Sequence, residues 1–315
     1  MMTDIAIRTI DLTKRFDDLI AVDHLNFEVY KGEIFGFIGA NGAGKTTTIR
    51  ILTTLLAPTE GSAEINEHDI KKAPQKVRDN IVLVQQNPYA LDWFLNVEQN
   101  ISTFVRFYNY SMPKRHVKDI TKQIMLDFDI YELRKKKVIT LSGGTQRRIM
   151  VARAFACSRP IIFLDEPTIG LDAYVKQLTW NYIKRKSHDE GSTIFLTSHD
   201  LNEIEQLCDR VAIIDHGRII MIDKPSNIVS LTGEKIVTIS YEGNINVNQL
   251  IHDKKAIFIS NKDNKITLGT DDVDHLISEI SCLQKYGLKI LSIQNSSPTL
   301  EDIFIKLVKE GKNIE

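Results

Sequence analysis

Gly39-Ala40-Asn41-Gly42-Ala43-Gly44-Lys45-Thr46-Thr47 decides how this chain is read. The spacing is G-x-x-x-x-G-K-[ST], in which small residues let backbone N–H groups converge on phosphate oxygens. An apolar run, Ile34 to Ile38, precedes it and is long enough for one buried strand. Thr47 to Leu56 follows and is predicted to be a helix that starts at the loop. Its N-terminus adds a positive dipole end to the same site. Lys45 is placed to reach the β- and γ-phosphates of a nucleoside triphosphate, and Thr46 to hold Mg²⁺. A chance glycine-rich turn would lack the strand before it and the helix after it.

At 315 residues the chain is long for one compact domain, so two are expected. Hydrophobic residues at 43% and charged residues at 26% are those of an ordinary soluble globular protein. The formal net charge of -1 gives no electrostatic argument for nucleic acid, and none is expected as a partner. Cys157, Cys208 and Cys282 are far apart and lack metal-type spacing, which suggests buried thiols in a reducing compartment. No apolar run approaches the roughly 18 residues needed to span a bilayer. Asp4 and the lack of a continuous apolar core argue against a secretory signal. The expectation is a cytosolic protein that, if it acts at a membrane, is anchored there by something else.

Upstream of the loop, Ile5 to Leu12, Leu25 to Tyr30 and Ile34 to Ile38 read as strands. Phe16 sits in a polar turn, Thr13 to Asp17, where an aromatic ring either stacks on adenine or simply edges the core. Downstream, Ala63 to Ile65 with Ile70 suggest a small strand element, and residues 74–80 a helix. Ile81 to Val84 is a buried strand, with Gln85 and Gln86 at its C-terminal end. Ligands of α/β sheets bind at that edge, where a Gln reaches a metal-bound water or remains a solvated amide. From residue 91 to 156 apolar residues recur at helical spacing, as in Ile101, Phe104, Val105 and Tyr108, and strand signals vanish. This is a helical insert. Its basic run, Arg134 to Lys137, reads as a solvated surface, with a partner or lipid headgroup contact as the sharper alternative.

Leu141-Ser142-Gly143-Gly144-Thr145-Gln146 then precedes a helix, Arg147 to Ala156. Ser and Gly at a helix N-terminus make a second anion site. One loop already holds one nucleotide's phosphates, so this second site suggests a γ-phosphate supplied by another subunit. Ile161 to Leu164 is an apolar strand ending in Asp165-Glu166. Asp165 fits a Mg²⁺ ligand, and Glu166 a carboxylate that orients water. Leu171-Asp172 follows on the same loop. Thr193 to Thr197 is another buried strand, with His199 at the sheet edge that also carries Gln86 and Glu166. Val211 to Ile214 and Ile219 to Ile222 form a hairpin around His216-Gly217.

Together, residues 5–225 resemble the nucleotide-binding subunit of an ABC transporter. The resemblance implies an α/β P-loop NTPase core with an antiparallel β edge subdomain and a helical subdomain of about 88–156. Phe16 matches the adenine-stacking position, where Tyr is commoner, and Gly39, Asn41, Gly42, Gly44, Lys45, Thr46 and Thr47 match Walker A. Gln86 matches the Q-loop glutamine, a Mg²⁺-associated position, with Gln85 a register ambiguity. Ser142, Gly143 and Gly144 match the signature, Asp165 and Glu166 the Walker B pair, Asp172 the D-loop and His199 the switch histidine. Thr145 departs from the usual signature Gln. By resemblance, two such domains pair head to tail as a homo- or heterodimer and close on ATP and Mg²⁺. Lys45, Gln86, Glu166 and His199 would serve hydrolysis. A membrane permease, ABC-2 type by analogy, would place the chain at the cytoplasmic face of the membrane. The alternative is a soluble ABC ATPase of translation or repair, which usually has two cassettes or a long coiled coil.

Residues 226–315 are expected to form a small accessory α+β domain. Ile236 to Tyr241, Ala256 to Ser260, Ile266 to Gly269 and Leu288 to Ile293 read as strands. Val273, Leu276, Ile277, Ile280 and Leu283 read as one helix face. A last helix is expected with Ser297 as cap and Pro298 at its first position. Pro298 to Phe304 resembles the tail of drug-export, daunorubicin-resistance-like ATPases, which points to export with an undetermined cargo.

Overall fold

The opening strands run longer than their apolar patterns predict. β1 (Ile5–Phe16) and β2 (Leu19–Tyr30) pair antiparallel, and the ladder continues until Phe16 faces Leu19. Phe16 therefore ends a strand rather than sitting in a turn, because cross-strand hydrogen bonds satisfy the backbone where the side chains are polar. β4 (Glu60–Ile65) pairs with β1, and β5 (His68–Asp69) with β4, giving an antiparallel sheet of order β2-β1-β4-β5. The structure, a computed structural model, describes residues 4–86, 90–230, 235–242, 256–262, 265–270, 289–296 and 299–311. It divides into two units, Met1–Lys224 and Pro225–Glu315.

The second sheet of the first unit carries the loop. Its strands are β3 (Ile34–Gly39), β6 (Ile81–Val84), β7 (Ile161–Asp165), β8 (Thr193–Thr197), β9 (Arg210–Asp215) and β10 (Arg218–Asp223). The order is β10-β9-β3-β8-β7-β6; all neighbours run parallel except the β9–β10 hairpin. β7 and β8 are buried along their whole length, as continuous apolar runs in parallel sheets demand. Phe27 of the first sheet stacks on Phe35 of the second at 5.7 Å. Phe195 lies 5.3–6.1 Å from Phe27, Phe35, Phe37 and Phe163. This aromatic core fixes β3, β7 and β8 against one another, so their C-terminal ends form a stiff edge.

The helices follow the predicted order with shifted ends. α1 (Lys45–Leu52) begins at Lys45 rather than Thr47 and stops short of Leu56, because Thr54 turns to φ 61°. α2 is Pro74–Asn80. The insert contains α3 (Val97–Tyr108), opened by a reciprocal Asn96–Gln99 cap, α4 (Lys114–Asp127) and α5 (Gly143–Phe155). α6 (Ala173–Lys184) and α7 (Leu201–Leu207) complete the unit. Tyr182 of α6 packs 4.8 Å from Phe128 and 5.0 Å from Phe155, which joins the insert to the sheet-bearing core.

The second unit holds α8 (Pro225–Ser230), β11 (Lys235–Glu242), β12 (Ala256–Lys262), β13 (Lys265–Thr270), β14 (Lys289–Ser296) and α9 (Leu300–Gly311). Its sheet is antiparallel, ordered β12-β13-β11-β14. Val237, Ile239, Tyr241, Ile266 and Leu268 are buried. Thr299 caps α9: its backbone N–H donates to Asp302 Oδ2 at 2.9 Å, and the Asp302 N–H donates back to Thr299 Oγ1 at 3.3 Å. Ser297, Pro298, Cys282 and the predicted helix through Val273, Leu276, Ile277, Ile280 and Leu283 lie outside the described residues. Cys157 and Cys208 are free and buried. Among the described residues no helix is long and apolar enough to cross a membrane.

Candidate functional site

The loop between β3 and α1 is held from behind by backbone alone. The Gly217 N–H donates to the Ala43 carbonyl at 3.1 Å, and the Asp23 N–H donates to the Gly217 carbonyl at 2.9 Å. Gly44 adopts φ 105°, and a Cβ there would lie 2.3 Å from the Ala21 carbonyl oxygen. A Cβ on Gly39 would meet the Ile214 carbonyl oxygen at 2.3 Å. The glycines are therefore steric requirements of a loop pressed against β2 and β9. Lys45 Nζ donates to the Gly39 carbonyl at 2.8 Å and the Ala40 carbonyl at 3.0 Å, arching over the loop. Burial lowers its pKa, against the pull of the nearby Glu166 and Asp165 carboxylates.

The acids stand on the neighbouring strand ends. Asp165 Oδ1 accepts from Thr197 Oγ1 at 2.7 Å, and its Oδ2 accepts from Thr46 Oγ1 at 3.3 Å. A carboxylate paired with a hydroxyl is the hard-oxygen set that suits Mg²⁺. Glu166 is almost fully buried and takes φ 54°, a left-handed conformation strained for any residue but glycine. Its N–H donates to both the carbonyl and the hydroxyl of Thr197, at 3.1 and 3.2 Å. His199 Nδ1 lies against Glu166 Oε2. A cavity of about 400 Å³ opens at Thr46 and Asp165, lined also by Ile49, Arg50, Leu83, Gln85 and Gln86. The fold thus brings Lys45, Thr46, Gln86, Asp165, Glu166 and His199 to one sheet edge.

Comparison with known proteins agrees with this geometry. The family described as ABC transporter matches residues 22–169. A daunorubicin resistance ATP-binding protein of Streptomyces coeruleorubidus is 30% identical over all of this chain and 99% of its own length. The Nod factor export ATP-binding protein I of Sinorhizobium fredii is 30% identical over 97% of this chain and 86% of its own. The chain belongs to the ABC transporter ATP-binding family. A solved ATP-binding cassette dimer in a post-hydrolysis state with ADP and Pi shares the fold, with a TM-score of 0.64 and 24% identity over 69% of this chain and 98% of that one. The protein is accordingly an ATPase that uses ATP and Mg²⁺.

The other ABC-type positions lie apart from the cavity. None of Phe16, Ser142, Gly143, Gly144 or Asp172 lines it. Ser142 is exposed and caps α5, accepting from the Thr145 N–H at 3.3 Å. Thr145 Oγ1 also meets Ser142 Oγ at 2.9 Å, while Gln146 turns away to the Val138 and Leu141 carbonyls. Gln146 therefore does not take the place of a signature Gln at 145. A Cβ on Gly143 would meet nothing within 4 Å. Asp172 caps α6 through the Val175 N–H at 2.9 Å. Phe16 is 43% exposed, with Lys14 Nζ 5.1 Å from its ring centroid. Asn41 and Gly42 are exposed on the loop, and Thr47 is half-buried.

Three contributors escaped the reading of the sequence. Gly217 is the prop behind the loop, in a turn that read only as a hairpin. Arg147 is buried at the start of α5, three and four residues before the buried Met150 and Val151; that helical spacing was its one signal. Glu203 of α7 is fully buried, accepting from Ser198 Oγ at 2.6 Å and Trp180 Nε1 at 2.8 Å. It anchors the segment that presents His199. Burial raises its pKa, although hydrogen bonds from Ser198, Trp180 and Thr168 lower it. The unfolded chain then releases this proton first, so stability falls as pH rises from the ordinary carboxylate range through the raised folded value. Glu203→Gln is expected to flatten that slope, as read by urea unfolding across pH 4–8. Parallel pH profiles for the two proteins would contradict the assignment.

Proposed function

We propose that this subunit powers an ABC-2-type exporter, as one half of an ATP sandwich closed by the signature loop of a second ATPase subunit. One observation carries the reading: the strand ends bring Lys45, Thr46, Asp165, Glu166 and His199 to one sheet edge, whereas Ser142 and Gly143 stand exposed at the start of α5, outside that group. A complete phosphate site then needs that loop from another copy. In this reading Lys45 leaves the loop carbonyls for the β- and γ-phosphates. Glu166, turned by its left-handed backbone toward His199, orients the attacking water and takes its proton, and His199 holds the carboxylate in place. Thr46 and Asp165, with Gln86 through water, would hold Mg²⁺, which would supply charge neutralisation at the phosphates. Phe16 stacks on adenine, and Asp172 reaches the partner subunit.

The N-terminal unit, 1–225, is the ATPase domain and 226–315 an accessory domain. A cavity of about 600 Å³ beside the Q-loop, lined by Leu55, Arg78, Phe104, Phe107, Tyr108 and Tyr110, supports docking of a permease segment. The chain would then sit at the cytoplasmic face of the membrane. The relatives' cargoes differ, so cargo is assigned to the permease. Affinity purification from detergent-solubilised membranes is expected to recover a multi-spanning protein. Recovery with ribosomes or DNA instead would sink the proposal.

A further inference from the structure

Arg147 stands in the second turn of α5, buried to 3% exposure, and makes no ion pair among the described residues. Its guanidinium donates only to carbonyls. Nε donates to Pro167 at 3.2 Å, and Nη2 to Asp165 at 2.6 Å and to Glu166. Nη1 donates to Gln85 and, at 3.1 Å, to Gln86. A guanidinium has five N–H donors in one rigid plane, and here each one has its own acceptor. The acceptors belong to two segments, the end of β6 and the end of β7 with the loop after it.

This is an expensive way to fill a core position, since a buried cation without a carboxylate partner is strongly disfavoured. The side chain stays protonated at neutral pH, held down to about 10 by burial. What it fixes is specific. Glu166 has a strained left-handed backbone, its N–H tied to Thr197 and its carbonyl tied to Arg147. The peptide that aims the water-orienting carboxylate is thus gripped at both ends. The same plane holds the Gln85-Gln86 backbone beside the cavity. Arg147 also shares a rigid helix with Ser142, about 7.5 Å away along the axis.

We propose that Arg147 is a positioning residue that ties the Glu166 and Gln86 loops to the signature helix, so that engagement of Ser142-Gly143-Gly144 at one ATP is transmitted to hydrolysis at the other. The inference rests on the ATP-sandwich reading. Among the described residues the Thr145 and Gln146 side chains bond within residues 138–145, so they offer no comparable link to the other loops.

The test uses the full chain carrying Arg147→Lys or Arg147→Gln. Lysine keeps the charge with three donors at a point; glutamine removes the buried charge and keeps a planar amide, which protects folding. Thermal unfolding, Mg-ATP affinity, kcat, KM and the Hill coefficient for ATP are measured. The expected result is a folded chain with ATP affinity within about threefold of wild type, kcat lowered roughly 10- to 100-fold, and a Hill coefficient falling to 1. These magnitudes are those of a lost transition-state alignment rather than lost binding. A folded variant whose kcat and Hill coefficient stay within twofold of wild type overturns the proposal. So does failure of both variants to fold, which would make Arg147 a stability residue. The sandwich reading has its own control: a Glu166→Gln chain that stays monomeric with ATP defeats that reading, whatever the Arg147 variants do.

Discussion

Glu166→Gln is expected to lower ATP turnover by two to four orders of magnitude, the usual worth of a positioned general base. ATP affinity should change little. The amide is isosteric, and the carboxylate touches His199 rather than the loop that cradles phosphate. It keeps one oxygen for His199 but has no lone-pair oxygen of sufficient basicity for the water proton. The left-handed backbone at 166 is set by Thr197 and by the carbonyl contact to Arg147, both indifferent to the side chain, so the peptide should not relax. ATP then persists, and the chain should shift from monomer to dimer on a sizing column when ATP is added. A phosphate-release assay reads the turnover. A rate within tenfold of wild type would remove Glu166 from the chemistry.

Gly44→Ala has the second-largest expected effect, through a different cause. The backbone at φ 105° is a conformation that L side chains rarely adopt, and the new methyl would lie 2.3 Å from the Ala21 carbonyl oxygen. Strain of this kind costs roughly 1–3 kcal/mol before any clash, and the opposing atom is backbone in β2, which cannot swing aside. The loop must retreat toward the cavity instead, and it carries Lys45 with it. Mg-ATP affinity should fall more than 100-fold, on the order of 3 kcal/mol. The melting temperature should fall by about 5 °C, given roughly 2–4 °C per kcal/mol for a unit of this size. Gly143→Ala is the contrasting case. Nothing lies within 4 Å of its Cβ, and its φ is unexceptional, so the isolated chain should be as stable as wild type. Equal ATP affinities for wild type and Gly44→Ala, by fluorescent-nucleotide titration, would refute the steric account.

What the sequence disclosed was the set of local patterns. The loop glycines, the apolar strands before Gln85, Asp165 and Ser198, and the helical spacing of the insert each follow from neighbours within about one turn or one strand. Their common edge could be argued because parallel strands place ligands at their C-terminal ends. Long-range backbone pairing was hidden. β1 runs on to Phe16 because β2 is opposite it, and nothing in Thr13 to Asp17 shows that. α1 ends early because of Thr54, a residue of no special turn propensity. At the last helix Thr299 and Asp302 close a reciprocal bond that no local pattern singled out. The roles of Arg147, Glu203 and Gly217 were hidden for one shared reason. Their partners are backbone groups, hydroxyls or an indole brought near by folding, and such pairings leave no mark in a sequence.

Thr197 carries a further consequence. Its hydroxyl donates to Asp165 while accepting from the Glu166 N–H, and its carbonyl accepts from that same N–H. Asp165, whose oxygens suit Mg²⁺, and the peptide that aims Glu166 therefore hang from one residue. A change at Thr197 disturbs both acids at once, whereas a change confined to either acid's own side chain leaves the other's support in place.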